Sequence, residues 1–133
     1  MILDFFASWL KKYVHEESFP IKLVLRDRFI LVTLIISLVI NIGSWGAFVY
    51  YFKPQEEFLP LHYSVYFGID YLGPWYEAYF LPLSFTIFLL LNLFLAVLFF
   101  RYGKIVSQIL IGGVMFLHLF EILAVLNVIF LNF

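Results

Sequence analysis

Two residues near the carboxyl end carry side chains that exchange protons, in a setting where protons are seldom handled. His118 and Glu121 interrupt an apolar stretch three residues apart, and on a helix that spacing puts them on one face. An imidazole beside a carboxylate either relays a proton or forms a hydrogen-bonded lock between helices. Asn41 and Asn92 interrupt two other apolar stretches. With each stretch centred on a common plane, Asn41, Asn92 and His118 share one depth. Glu121 then lies ~4.5 Å further along at the helical rise per residue, and Ser44 and Thr86 fall a similar distance out. Polar groups within a membrane span mark a function or a helix contact by default, because hydrocarbon offers them no partner.

A second set stands between the first two apolar stretches. His62, Tyr63, Tyr66, Asp70 and Trp75 lie in a segment crowded with aromatics. They suit a loop–loop or subunit contact. Trp75, with Tyr76 and Tyr79, also suits the aromatic belt at a membrane surface. Asp70 is placed to cap a turn between Gly68 and Gly73. The sequence holds no GxSxG, no Gly-rich phosphate loop and no HExxH, so no catalytic set is expected. His15, His62 and His118 are the only histidines. The topology below places them on opposite sides and in the middle of a membrane, so no metal or other cofactor is expected either. Cysteine is absent, which excludes disulfides and thiolate chemistry.

The elements that must position these residues follow from composition. The chain has 133 residues, 65% hydrophobic and 13% charged, with a mean hydropathy of +1.02. Soluble domains carry about 45–50% apolar and about 25% charged residues, so much of this surface must face lipid or another protein. A net charge of −1 gives no reason to expect nucleic acid. The pattern predicts a single all-α membrane domain with three transmembrane helices, over 29–52, 81–100 and 105–131. Each is long enough for a bilayer, which needs about 20 residues. Residues 2–15 place Ile2, Phe6, Trp9 and Tyr13 on one face and Lys11, Lys12 and His15 largely opposite. That pattern suits an amphipathic helix lying in the interface, within a basic segment over 1–28. The first long apolar run starts only near residue 29, too late for a signal peptide, and reads as a retained anchor.

Basic residues set the expected orientation. Lys11, Lys12, Lys22, Arg26 and Arg28 precede the first span, Arg101 and Lys104 form a tight turn over 101–104, and only Lys53 lies in the 53–80 loop. The amino terminus is therefore expected inside a bacterial plasma membrane and the carboxyl terminus outside. The 53–80 loop becomes an outer loop rich in aromatic and acidic residues. Within it Leu61, Tyr63, Val65 and Phe67 alternate with more polar neighbours, a short strand pattern.

The stretch from Leu61 to Asp70 (LHYSVYFGID), followed by Gly73-Pro74-Trp75-Tyr76, resembles small membrane proteins of candidate-phyla (Patescibacteria-type) bacteria. That resemblance implies a bacterial source. It carries no assigned activity and no functional residue.

Gly43, Gly46 and Ala47 on the first span and Gly112-Gly113 on the third suit close helix packing, within the chain or between copies. Three functions fit these observations. The first is action through assembly without catalysis, as a homo-oligomer or a small subunit of a membrane complex. The second is an oligomeric channel or proton conductor with Asn41, Asn92, His118 and Glu121 along a pore. The third is an outer-face enzyme for a lipid-linked substrate, using His62 and Asp70.

Overall fold

The computed structural model describes Asp4 and residues 20–133. The amphipathic helix expected over 2–15 lies, but for Asp4, outside the described residues. The rest runs as helix α1 (Ile21–Arg26), helix α2 (Arg28–Tyr51), strands β1 (Leu59–Ser64) and β2 (Gly68–Gly73), a 3-10 turn (Trp75–Tyr79), helix α3 (Phe80–Phe99) and helix α4 (Lys104–Asn132). Three helices are long and apolar enough to cross a bilayer: α2, α3 with the turn before it, and α4. Only 22–33% of the most apolar window of each is buried within the chain, so most of their surface is left for lipid or partners. The chain is a multi-pass helical membrane protein.

Local chemistry sets the breaks. Pro20 starts α1, its carbonyl accepting from the N–H of Leu23 and Val24 at 2.9 Å each. Its own missing N–H costs nothing at a helix start. Asp27, in an extended conformation, separates α1 from α2 and caps α2 by accepting from Ile30 N at 3.0 Å. At the far end Tyr79 donates its hydroxyl to Phe52 O at 2.8 Å, covering a carbonyl that helix α2 leaves unpaired. Gly103 N and Tyr102 N close the α3–α4 turn onto Phe99 O.

α2 and α4 run parallel, with α3 antiparallel to both. Asp27 and Gln108 meet near their amino ends at a sequence separation of 81, Asn41 and Glu121 meet in the middle at 80, and Phe52 meets Phe133 at the carboxyl ends. The offset is thus nearly constant along the bundle. Three apolar clusters stack along it. Val24, Ile30, Ala96, Val97 and Ile111 fill the end near Lys104. Leu34, Leu89 and Val114 fill the middle. Phe48, Phe52, Leu59, Ala78 and Val125 fill the hairpin end. Between the last two lies a polar layer. On α2 four of the seven buried residues are polar: Thr33, Ser37, Asn41 and Ser44. The bundle is more polar inside than on its lipid-facing surface, as expected where hydrogen bonds and close contact rather than water exclusion join the helices.

The aromatic loop pairs with itself. β1 and β2 form an antiparallel hairpin with Tyr63 opposite Ile69 and Ser64 opposite Gly68. Val65, Tyr66 and Phe67, whose alternation suits a strand, form the turn instead. Gly68 has a φ of +73°, and a left-handed residue after a three-residue loop is what such a hairpin needs. Asn132 anchors the hairpin to α4, its amide donating to Pro60 O at 2.9 Å and to Val128 O at 2.8 Å. The glycines suited to close packing behave differently from one another. Gly112 touches Phe29, while Gly43, Gly46 and Gly113 have no neighbour where a side chain would stand. Those three are not used for packing among the described residues.

Candidate functional site

The polar layer is one connected chain across all three helices. Trp45 on α2 donates its indole N–H to Thr86 Oγ1 on α3 at 3.0 Å. Thr86 lies 2.9 Å from Asn41 Oδ1 and 2.8 Å from Pro82 O. Its single hydroxyl proton serves one of these acceptors at a time or is shared between them. Asn41 Nδ2 then donates to Glu121 Oε1 on α4 at 3.3 Å. Glu121 Oε2 is in hydrogen-bond contact with His118 Nδ1. Both His118 and Glu121 are fully buried, and Asn41 nearly so.

The structure brings together Asn41, His118 and Glu121 from the expected layer and leaves Asn92 out. Asn92 sits on the lipid side of α3, its amide turned back onto Phe88 O at 2.9 Å. The Thr86–Asn41 contact sets the register of α3, and Asn92 lies about 9 Å from the level of Asn41, toward the Lys104 end. Six residues earlier on α3, Thr86 takes its place in the layer. Ser44, about one turn beyond Asn41 on α2, bonds Ile40 O of its own helix at 3.1 Å. Two buried atoms in this region have no partner among the described residues, Ser37 Oγ and His118 Nε2.

A second charged centre closes the other end of the bundle. Asp27 is buried, and Lys104 Nζ lies 2.6 Å from its Oδ2. Gln108 Nε2 reaches both carboxylate oxygens at 3.3 Å. The Lys104 ammonium, then the Ile30 N–H, hold its pKa down at about 2, against a smaller opposing effect of burial. Reading the sequence for sites passes over Asp27. A signal for it exists, since an Asp just before a long apolar run is a helix-start pattern.

The outer-loop residues divide. His62 Nδ1 and Asp70 Oδ1 meet at 2.5 Å across the hairpin, so Asp70 pairs with a side chain instead of capping the turn. Tyr71 donates to Glu77 Oε2 at 2.5 Å, which raises the Tyr71 pKa because its anion would face the carboxylate. Gly73 makes room for this contact, since a Cβ there would stand 2.5 Å from Glu77 Oε2 and 2.7 Å from Leu61. A cleft of about 200 Å³ between hairpin and bundle is lined by His62, Tyr63, Glu77 and Asn127 above Leu81 and Ala124. Trp75 packs edge-on against Tyr76 and Tyr79, away from His62 and Asp70 in the bonding pattern. Tyr66 is at the exposed hairpin tip. Among the described residues no group of three or more His, Cys, Asp or Glu side chains is placed to hold a metal ion.

Compared with known protein families, with curated proteins and with solved structures, the chain matches none.

Proposed function

We propose that this protein acts through assembly in a bacterial plasma membrane, as a homo-oligomer or a small subunit of a membrane complex, with no catalysis of its own. The observation that carries this reading is the hairpin tip. Val65, Tyr66 and Phe67 are 87%, 91% and 83% exposed, on a hairpin tied to α4 through Asn132. Three bulky apolar side chains on an anchored support form a contact surface. The open flanks at Gly43, Gly46 and Gly113 give a partner helix room for close approach. The distribution of Lys and Arg supports an inside location for the Lys104 end and an outside location for the hairpin. A pore between protomers gains less support, because His118 and Glu121 face the interior of one chain.

The chain lacks cysteine, so Tyr66→Cys introduces a single reporter. Oxidation in native membranes is expected to give a disulfide-linked dimer, and a bifunctional thiol reagent a dimer or an adduct with a second membrane protein. A monomer by light scattering in nanodiscs, with the introduced thiol open to water-soluble maleimide and no adduct in membranes, would overturn the proposal.

One contact favours a second reading. His62, oriented by Asp70 beside the cleft, is arranged as a general base, as an outer-face enzyme for a lipid-linked substrate requires. Purified protein in vesicles containing polyprenyl phosphates and pyrophosphates would then form product, and His62→Gln would abolish it. Product levels equal to those of protein-free vesicles would remove this reading.

A further inference from the structure

Of the three buried side-chain atoms without a partner among the described residues, Ser37 Oγ and His118 Nε2 stand at one level of the bundle, and Asn132 Oδ1 lies at the hairpin end. α2 and α4 keep an offset of 80 to 81 residues along their length, and that offset sets Ser37 level with His118. Both residues are fully buried. Neither Ser37 Oγ nor His118 Nε2 has a hydrogen-bond partner among the described residues, so they do not bond each other directly. They lie about one helical turn from the Asn41–Glu121 contact, toward the Lys104 end of the bundle.

Proton counting decides what His118 Nε2 offers. Glu121 Oε1 accepts from the Asn41 amide, a contact that favours the bare oxygen over a carboxyl O–H at that position. One proton lies between His118 Nδ1 and Glu121 Oε2. With that proton alone the pair has a net charge of −1. Among the described residues no ion pair joins it to another charged side chain: its partners are Asn41 on α2, bonded to Glu121, and Phe85 on α3, in ring contact with His118. A lone charge at this depth is strongly disfavoured. A second proton, on Nε2, makes the pair neutral. Nε2 is then a buried N–H donor, and a buried donor without an acceptor is costly.

We propose that His118 Nε2 and Ser37 Oγ together bind one water molecule inside the bundle, with Nε2 protonated and donating to it. The water donates to Ser37 Oγ and has a second hydrogen for a backbone carbonyl of α2, within the two to four polar partners that a buried water takes. The hydrogen-bonded chain then runs from Trp45 on α2 through Thr86, Asn41, Glu121 and His118, and returns to α2 at Ser37. It binds α2 at successive turns in a monomer or an oligomer alike.

Nitrogen-15 magic-angle-spinning NMR in nanodiscs tests this directly. His15→Gln and His62→Gln, both outside the spans, leave His118 as the sole labelled imidazole. The expected result is a protonated Nε2 with magnetisation transfer from water. Ser37→Ala is expected to shift the Nε2 resonance and reduce that transfer at least several-fold. An unprotonated Nε2, or a protonated one with no transfer from water, would overturn the proposal without reliance on any variant within the bundle. Transfer unchanged in Ser37→Ala would also overturn it, since the water would then be held by other groups.

Discussion

Asp27 serves α2 and α4 with its two side-chain oxygens, and closes α1 with its backbone N–H on Val24 O at 3.2 Å. Oδ1 accepts from Ile30 N and caps α2, Oδ2 accepts from Lys104, and Gln108 reaches both. Its folded-state pKa of about 2 lies below the ordinary 3.8. A carboxyl with a depressed pKa stabilises the fold fully above its unfolded value, and that stability is lost as pH falls through the folded value. The contribution of Asp27 is therefore intact at neutral pH and disappears between about pH 4 and pH 2. In Lys104→Met the Asp27 carboxyl titration, followed by carbon-13 NMR, is expected to move up toward 3.8, because Lys104 is the largest cause of the shift. A midpoint unmoved by the substitution would mean that the ion pair does not hold in the bilayer. The contrast with Asn92 is instructive about legibility. Depth along a span is read from residue numbers only to within a turn or two: it brings Asn41, His118 and Glu121 to neighbouring levels, but the Thr86–Asn41 contact leaves Asn92 about 9 Å away. Which way a side chain faces needs helix rotation, and uniformly apolar spans such as α3 give little sign of it.

At the level of elements, Asn41 is the joint of the bundle. Its side chain touches both other spanning helices, donating to Glu121 and accepting from Thr86. Interhelical hydrogen bonds in membranes average about 0.6 kcal/mol, with a maximum near 1.7. Asn41→Leu removes two of them and leaves Glu121 Oε1 without its donor, which adds about 1–3 kcal/mol. The expected loss is about 2–4 kcal/mol in reversible unfolding by steric trapping in bicelles. An unchanged stability would show that the layer is not a clamp. Three helices long and apolar enough to cross a bilayer are legible in the sequence, since length and apolarity are one-dimensional properties. The hairpin is legible only in part. The alternation from Leu61 marks a strand, but its partner at Gly68–Gly73 carries two glycines and an aspartate, residues depleted in strands. The true turn is made of Val65, Tyr66 and Phe67, side chains that favour strands.

At the scale of the whole molecule, the bundle is thin, polar along its centre and largely uncovered on its flanks. Fold class and membrane crossing are written in composition. The three-helix network is not, because it depends on α2 and α4 lying parallel in a fixed register while α3 joins them from the opposite direction. That register has a consequence in time. Asn41 leaves the ribosome 80 residues before the Glu121 that it bonds, and translation at about 5–20 residues per second makes this a gap of about 4–16 seconds. Through that interval the polar stripe of α2 has none of its partners on α4. Until α3 emerges with Thr86, the first span must be held upright by its apolar flanks and its basic border, so the many Val, Leu and Ile side chains facing outward are a requirement of the half-made protein as much as of the finished one.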